Sequence, residues 1–138
     1  MERAEQITKQ MMEKDEFSKW LKIEVLETGE GSCRLGMTIR PEMCNGFGIA
    51  HGGITYSLAD SALAFASNSR GRHALSIDTS ISHLRPLRAG TSIEAFAREL
   101  HLSYRTGLYE VLIKTGDETV AYFKGTVYRK EEEWLVGR

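Results

Sequence analysis

The segment from Ile54 to Asn68 limits most strictly what this chain can become. It carries Leu58, Ala59, Ala62, Leu63, Ala64, Phe65 and Ala66 with no Gly or Pro, which predicts a helix of about four turns. Its apolar residues are not confined to one stripe, so the helix has to be covered on most of its sides. The preceding stretch, Asn45-Gly46-Phe47-Gly48-Ile49-Ala50-His51-Gly52-Gly53, is too glycine-dense for helix or strand and predicts a loop with special backbone angles. With 138 residues, 41% of them apolar, the chain suffices for one domain with one core around that helix.

The remainder predicts what wraps it. Leu21 to Glu27 and Cys33 to Arg40 alternate in character about the Gly-rich Thr28 to Ser32, a hairpin in which Cys33, Leu35, Met37 and Ile39 share one face. Ala74 to Leu84 alternates Leu75, Ile77, Thr79 and Ile81 against Ser76, Asp78, Ser80 and Ser82. Thr91 to Ser103, Gly107 to Thr115 and Thr119 to Arg129 are strand-like runs rich in β-branched and aromatic residues. At the start, Glu2 to Trp20 sets Ile7, Met11, Met12 and Phe17 at helical spacings among charges, as in a surface amphipathic helix. This order predicts an α+β domain in which an antiparallel sheet curls around the central helix. Residues 1–20 would be the N-terminal helix, 21–130 the core and 131–138 a tail, with Arg129 to Glu133 a solvated end. A lone curled sheet leaves edges open, so pairing with a second copy is expected.

Charge and composition exclude several classes of function. Lys plus Arg total 18 against 19 for Asp plus Glu, a net charge of −1, which disfavours nucleic acid and acidic membrane surfaces as partners. The two cysteines, Cys33 and Cys44, lack the spacing of a disulfide framework or zinc site and read as free thiols in a reducing compartment. Met1 to Gln6 is charged where a signal peptide is apolar, and no run approaches the roughly 20 apolar residues of a membrane span. A soluble cytoplasmic protein is expected. The four histidines, His51, His73, His83 and His101, show no metal-ligand spacing, and no dinucleotide or phosphate loop or Gly-x-Ser-x-Gly elbow occurs. No metal or cofactor is expected.

Asp60 stands out among the remaining polar residues. Its neighbours one helical turn away are Tyr56, Ser57, Leu63 and Ala64, none of which can form an ion pair with it. It is either an aspartate on the one wet side of the helix or a desolvated carboxylate serving as base or nucleophile. His51-Gly52-Gly53, at the helix start, has the layout of an oxyanion hole: free N–H groups, the positive end of the macrodipole, and glycine to admit a ligand. The same residues also suit a plain loop-to-helix turn, with His51 making a structural hydrogen bond. Cys44 reads as packing. Arg85, Arg88 and Arg105 flank strand ends and suit either the phosphates of a nucleotide-like ligand or solvated surface.

Distance constrains how these groups cooperate. Eight residues of helix separate Gly52 from Asp60 by about 12 Å, more than one side chain can span to a bound carbonyl. If both act on one substrate, they come from different subunits, with two central helices antiparallel across a two-fold axis.

With Asn45 to Gly53 followed by Leu58-Ala59-Asp60 and Asn68, the chain resembles the hotdog-fold acyl-coenzyme A thioesterases of the phenylacetic acid degradation type. Leu84-Arg85-Pro86, Ala89-Gly90, Thr106-Gly107-Leu108-Tyr109 and Val120 to Gly125 extend the likeness over roughly Phe17 to Tyr128. The resemblance implies homodimers or homotetramers with active sites at the subunit interface, and an acyl-coenzyme A substrate. It implies that Asp60 is general base or nucleophile, that the Gly52 or Gly53 amide polarises the thioester carbonyl, and that Asn45 and His51 position the substrate. Ser76 falls where related enzymes keep a hydroxyl that orients water; as a pattern, it equally suits the open face of a strand. Aryl-acetyl or hydroxyphenylacetyl thioesters are indicated, with medium-chain acyl groups as a variant. Met43, Phe47, Tyr56 and Phe65 are available as pocket walls or as core. Enoyl-thioester hydration lacks a histidine partner for Asp60. A non-catalytic acyl-coenzyme A binding module is the alternative from another class.

Overall fold

The computed structural model describes residues 1–137. The helices are α1 (Arg3–Lys14), α2 (Glu16–Leu21) and α3 (Gly52–Asn68). The strands are β1 (Glu24–Gly29), β2 (Ser32–Thr38), β3 (Arg72–His83), β4 (Ser92–Leu102), β5 (Thr106–Thr115) and β6 (Glu118–Glu133). All six form one antiparallel sheet in the order β1-β2-β4-β5-β6-β3. The sheet wraps α3, the hotdog arrangement that the resemblance implied.

Alternation on the strands makes the inner face. Leu35 and Met37 of β2, Ile93, Ala95 and Ala97 of β4, Tyr109, Val111 and Ile113 of β5, and Ala121, Phe123 and Val127 of β6 are buried against α3. Each large side chain buried in this way contributes roughly 1.5–3 kcal/mol. From α3, Leu58, Ala59, Ala62, Leu63, Phe65 and Ala66 are buried, so the helix is covered on most sides, as its composition requires. Small residues allow the close fit. A Cβ at Gly125 would lie 2.7 Å from Leu63 Cδ2.

Three expectations need correction. The single N-terminal helix is two helices, because Asp15 leaves helical geometry (φ −91°, ψ 84°) and caps α2, accepting from the Ser18 amide at 2.9 Å. The alternation of β3 is broken by a bulge between Ser76 and Asp78. Thr79 and Ile81 therefore face the helix with Ser76, whereas Leu75, paired with Tyr128, faces outward. The tail is not wholly solvated. β6 continues to Glu133, and Trp134 donates its amide to the Gly71 carbonyl at 2.8 Å and its indole N–H to Asn68 Oδ1 at 2.9 Å.

β3 and α3 together position the site. Asn68 clasps the start of β3, accepting from the Ala74 amide at 3.0 Å and donating to its carbonyl at 3.1 Å. Tyr56 is hydrogen-bonded to Thr79, and Thr55 Oγ1 lies 2.8 Å from His83 Nε2 at the end of β3. The helix thus runs antiparallel to β3, with Gly52 beside His83 and Asp60 level with the bulge. Among the described residues the outer edge of β3 pairs with no strand, and Leu75 (62%) and Ile77 (63%) are exposed on it.

Candidate active site

The loop before α3 is built from its own hydrogen bonds. Asn45 accepts the Phe47 amide on Oδ1 at 2.9 Å, and its backbone closes the turn through the Asn45 amide to the Ile49 carbonyl at 2.8 Å. Gly48 takes φ +78°, which favours glycine. The Ala50 amide donates to the Leu87 carbonyl at 2.7 Å, tying this loop to the β3–β4 connection that holds Arg85 and Arg88. With the Asn45 side-chain carbonyl occupied, its NH₂ is the group left to donate.

His51 caps the helix. Its Nδ1 accepts the Gly53 amide at 2.9 Å. That bond separates the two glycines: the Gly53 amide is committed to the imidazole, while the Gly52 amide has no acceptor among the described residues. An accepting Nδ1 leaves the proton of a neutral ring on Nε2, where it can be donated outward. Gly52 is exposed and begins the helix, so its N–H adds to the positive end of the α3 dipole.

A cavity of about 310 Å³ opens at this helix end, lined by Asn45, Gly52, Thr55, His83, Arg85 and Leu87 among others. Three sequence candidates, Asn45, Gly52 and Arg85, therefore meet in one place. His83 joins them unforeseen. A Cβ built on Gly52 would lie 3.2 Å from His83 Cε1, so the imidazole forms the wall beside Gly52.

Asp60 is elsewhere, two helical turns along α3 and about 12 Å from Gly52. It is half-buried, and no hydrogen bond reaches its carboxylate among the described residues. Burial, and then the carboxylate of Asp15, push its pKa above the ordinary aspartate value. Beside it, Ser61 Oγ lies 2.8 Å from Ser18 Oγ, which in turn bonds Asp15 Oδ2 at 2.6 Å. Ser76 is exposed on the helix-facing side of β3, near the level of Asp60.

The other candidates divide. Arg85 and Arg88 are exposed on the β3–β4 connection, Arg85 within 3.3 Å of Glu118. Arg105 lies in the β4–β5 turn, at the far end of the 11-residue β4, so one chain does not bring the three arginines together. Phe47 projects from the loop and is 88% exposed. Tyr56 packs edge-on against Phe123 at 5.5 Å with its hydroxyl engaged by Thr79, and Met43 and Phe65 are core residues rather than walls of an open pocket. Cys33 is buried, its thiol pushed up to about 12, chiefly by burial. A larger cavity, about 970 Å³, lies along α1 and β1; Cys33 is in its wall, and none of the predicted catalytic or substrate-binding residues is.

The chemistry available is a half-buried carboxylate of raised basicity and an unpaired amide at a helix start, held apart by a rigid rod. These parts suit addition of water to a polarised carbonyl.

The family described as the thioesterase superfamily matches residues 47–122. The acyl-coenzyme A thioesterase PaaI of Escherichia coli is 38% identical over 120 residues, covering 86% of this chain and 86% of that protein. The solved structure of the E. coli PaaI protein from the phenylacetic acid degradation operon superposes with a TM-score of 0.93 at 36% identity, covering 95% of this chain and 96% of that one. A mutant form of the phenylacetic acid degradation protein PaaI from Thermus thermophilus superposes with a TM-score of 0.82 at 40% identity, covering 84% of this chain and 100% of that one. Among the described residues, no helix is long and apolar enough to cross a membrane.

Proposed function

The chain belongs to the thioesterase superfamily and is a thioester hydrolase, and from that premise we propose that it cleaves aryl-acetyl thioesters of coenzyme A to the free acid and coenzyme A. Asp60, ionised, either takes a proton from water as the water adds to the carbonyl, or adds to the carbonyl itself. Either step needs a basic carboxylate, and burial supplies one. The Gly52 amide accepts the developing oxyanion, with the helix dipole behind it. Collapse of the tetrahedral species breaks the carbon–sulfur bond and releases the thiolate. In the first route the proton held by Asp60 passes to the sulfur and the free acid is formed at once. In the second, water then hydrolyses the acyl–Asp60 anhydride to the free acid and restores the carboxylate. Asn45, through its NH₂, and His51, through Nε2–H, position the acyl group, and the Ser76 hydroxyl orients water.

The single observation that carries this reading is the combination of a raised, donor-free Asp60 with a Gly52 amide that has no acceptor. Their separation supports placing them on different subunits of a homodimer, which a homotetramer would contain twice. The free edge of β3, with Leu75 and Ile77 exposed, is the edge on which a second copy would add its own β3. Because α3 runs antiparallel to β3, two-fold pairing there turns the partner's helix start toward Asp60. The same rotation carries the Arg105 end of one sheet toward the Arg85 and Arg88 end of the other, where the three would hold coenzyme A phosphates. Phe47, exposed on the loop, is the aromatic surface for an aryl group.

A thiol-release assay tests this directly. With a panel of acyl-coenzyme A substrates, turnover is expected, with phenylacetyl and hydroxyphenylacetyl thioesters ahead of medium-chain ones. Binding of the same thioesters without thiol release would leave only a binding module.

A further inference from the structure

We propose that Asp15 is a positioning residue for this reaction: from the cap of α2 it locks the Asp60 turn of α3 and places a second carboxylate beside it. The inference rests on Asp60 being the reacting carboxylate.

The geometry is a chain of oriented hydrogen bonds. Asp15 accepts the Ser18 amide on Oδ1 at 2.9 Å and the Ser18 hydroxyl on Oδ2 at 2.6 Å. Having given its one proton to Asp15, Ser18 Oγ accepts from Ser61, 2.8 Å away. Ser18 and Ser61 are both buried, so this bond is the polar seam between α2 and α3. The Ser61 proton is thereby drawn toward Ser18 and withheld from the neighbouring Asp60. The same clasp that fixes the short helix also keeps the hydroxyl of the adjacent Ser61 from solvating the reacting carboxylate.

Charge acts in the same direction. Asp60 has no charged residue one turn away on α3. On α2, Glu16 and Lys19 face each other at 3.7 Å on the exposed side. Glu13 and Lys14 at the end of α1 are exposed, and Asp78 of β3 lies on the outward face with Thr126. Asp15 is the charge that raises Asp60, in addition to burial. Removing it would relieve the repulsion and free Ser18, and through it Ser61, to donate toward Asp60. Both changes make Asp60 a weaker base.

The test is Asp15→Asn, which keeps a favoured helix cap and removes the charge. Its pH profile of kcat/KM with phenylacetyl-coenzyme A is measured against wild type, alongside Asp60→Asn. The acid limb is expected to move to lower pH, with little change in melting temperature. Asp15→Ser, also a good cap, provides the same reading if the Asn variant does not fold. An acid limb that stays at its wild-type position overturns the inference, even if stability falls, since a purely structural cap would lower stability alone. Asp60→Asn separates the two levels of the argument. If it remains active, the assignment of Asp60 fails; if it is inactive while the limb stays put, only the role of Asp15 fails.

Discussion

Asp60→Asn is expected to lower kcat/KM by roughly a hundred- to ten-thousand-fold, and at the same time to raise the melting temperature near neutral pH. The first effect follows because Asn can neither take a proton from water nor attack the carbonyl. The second follows from linkage. Burial, with the Asp15 carboxylate adding to it, raises the Asp60 pKa in the folded state above its unfolded value, so between the two values the folded protein holds more protons than the unfolded chain. Stability therefore falls as pH rises through that window, and the deficit persists at neutral pH. An uncharged Asn removes it. The stabilisation should shrink as pH drops through the raised value and vanish below the unfolded one, which thermal melts across that range would show. A variant that loses activity and also loses stability at neutral pH would indicate that Asp60 supports the fold rather than straining it.

Gly52→Pro should cost about 10²- to 10³-fold in kcat while leaving the helix intact. Proline suits the first position of a helix, and His51 before it already has the extended geometry (φ −59°, ψ 138°) that proline demands of its predecessor. The substitution therefore deletes one N–H, the one without an acceptor, and little else. Gly52→Ala is the control. It adds the same Cβ, 3.2 Å from His83 Cε1, which an exposed side chain can yield to, but it keeps the N–H. A large loss in the Pro variant with a much smaller one in the Ala variant assigns the effect to the amide. Equal losses would assign it to crowding against His83.

Most of the fold was legible because its signals are periodic. The unstriped apolar run of α3 required a wrapping layer, alternation in β2 identified its inner face, and the β-branched and aromatic runs that became β4, β5 and β6 were legible as strands. Local exceptions to periodicity were not legible. Asp15 breaks the N-terminal helix through its side-chain cap on Ser18, yet no Gly or Pro between Glu2 and Trp20 marks the break. The β3 bulge inserts one residue in a strand whose polar and apolar residues alternate without interruption, so Leu75 and Ser76, before the bulge, lie on the faces opposite to those the alternation implied, whereas Thr79 and Ile81 lie inward.

The site divided in the same way. Asp60, Gly52 and Asn45 carried signals in their own sequence surroundings: a carboxylate without a helical partner, and a glycine-dense loop before a helix. His83 carried none for its role and Asp15 only a faint one, because their importance arises from contacts across 28 and 43 residues of chain, the first with Thr55 and the second through the Ser18–Ser61 bond. A spacing rule weighed His83 only as a metal ligand. Asp15, with Ser18 three residues on, carries the faint mark of a helix cap, and the sequence contains nothing that places that cap beside Asp60.

The claim on which the rest depends is that one active site takes its carboxylate from one subunit and its amide from another. Mixing inactive Asp60→Asn and inactive Gly52→Pro proteins under subunit exchange tests it most directly. If the site is shared, each hybrid dimer contains one site with both Asp60 and Gly52 intact, and random mixing should restore about a quarter of wild-type activity. If each chain carries its own complete site, no hybrid contains an intact one, and the mixture will stay as inactive as its components.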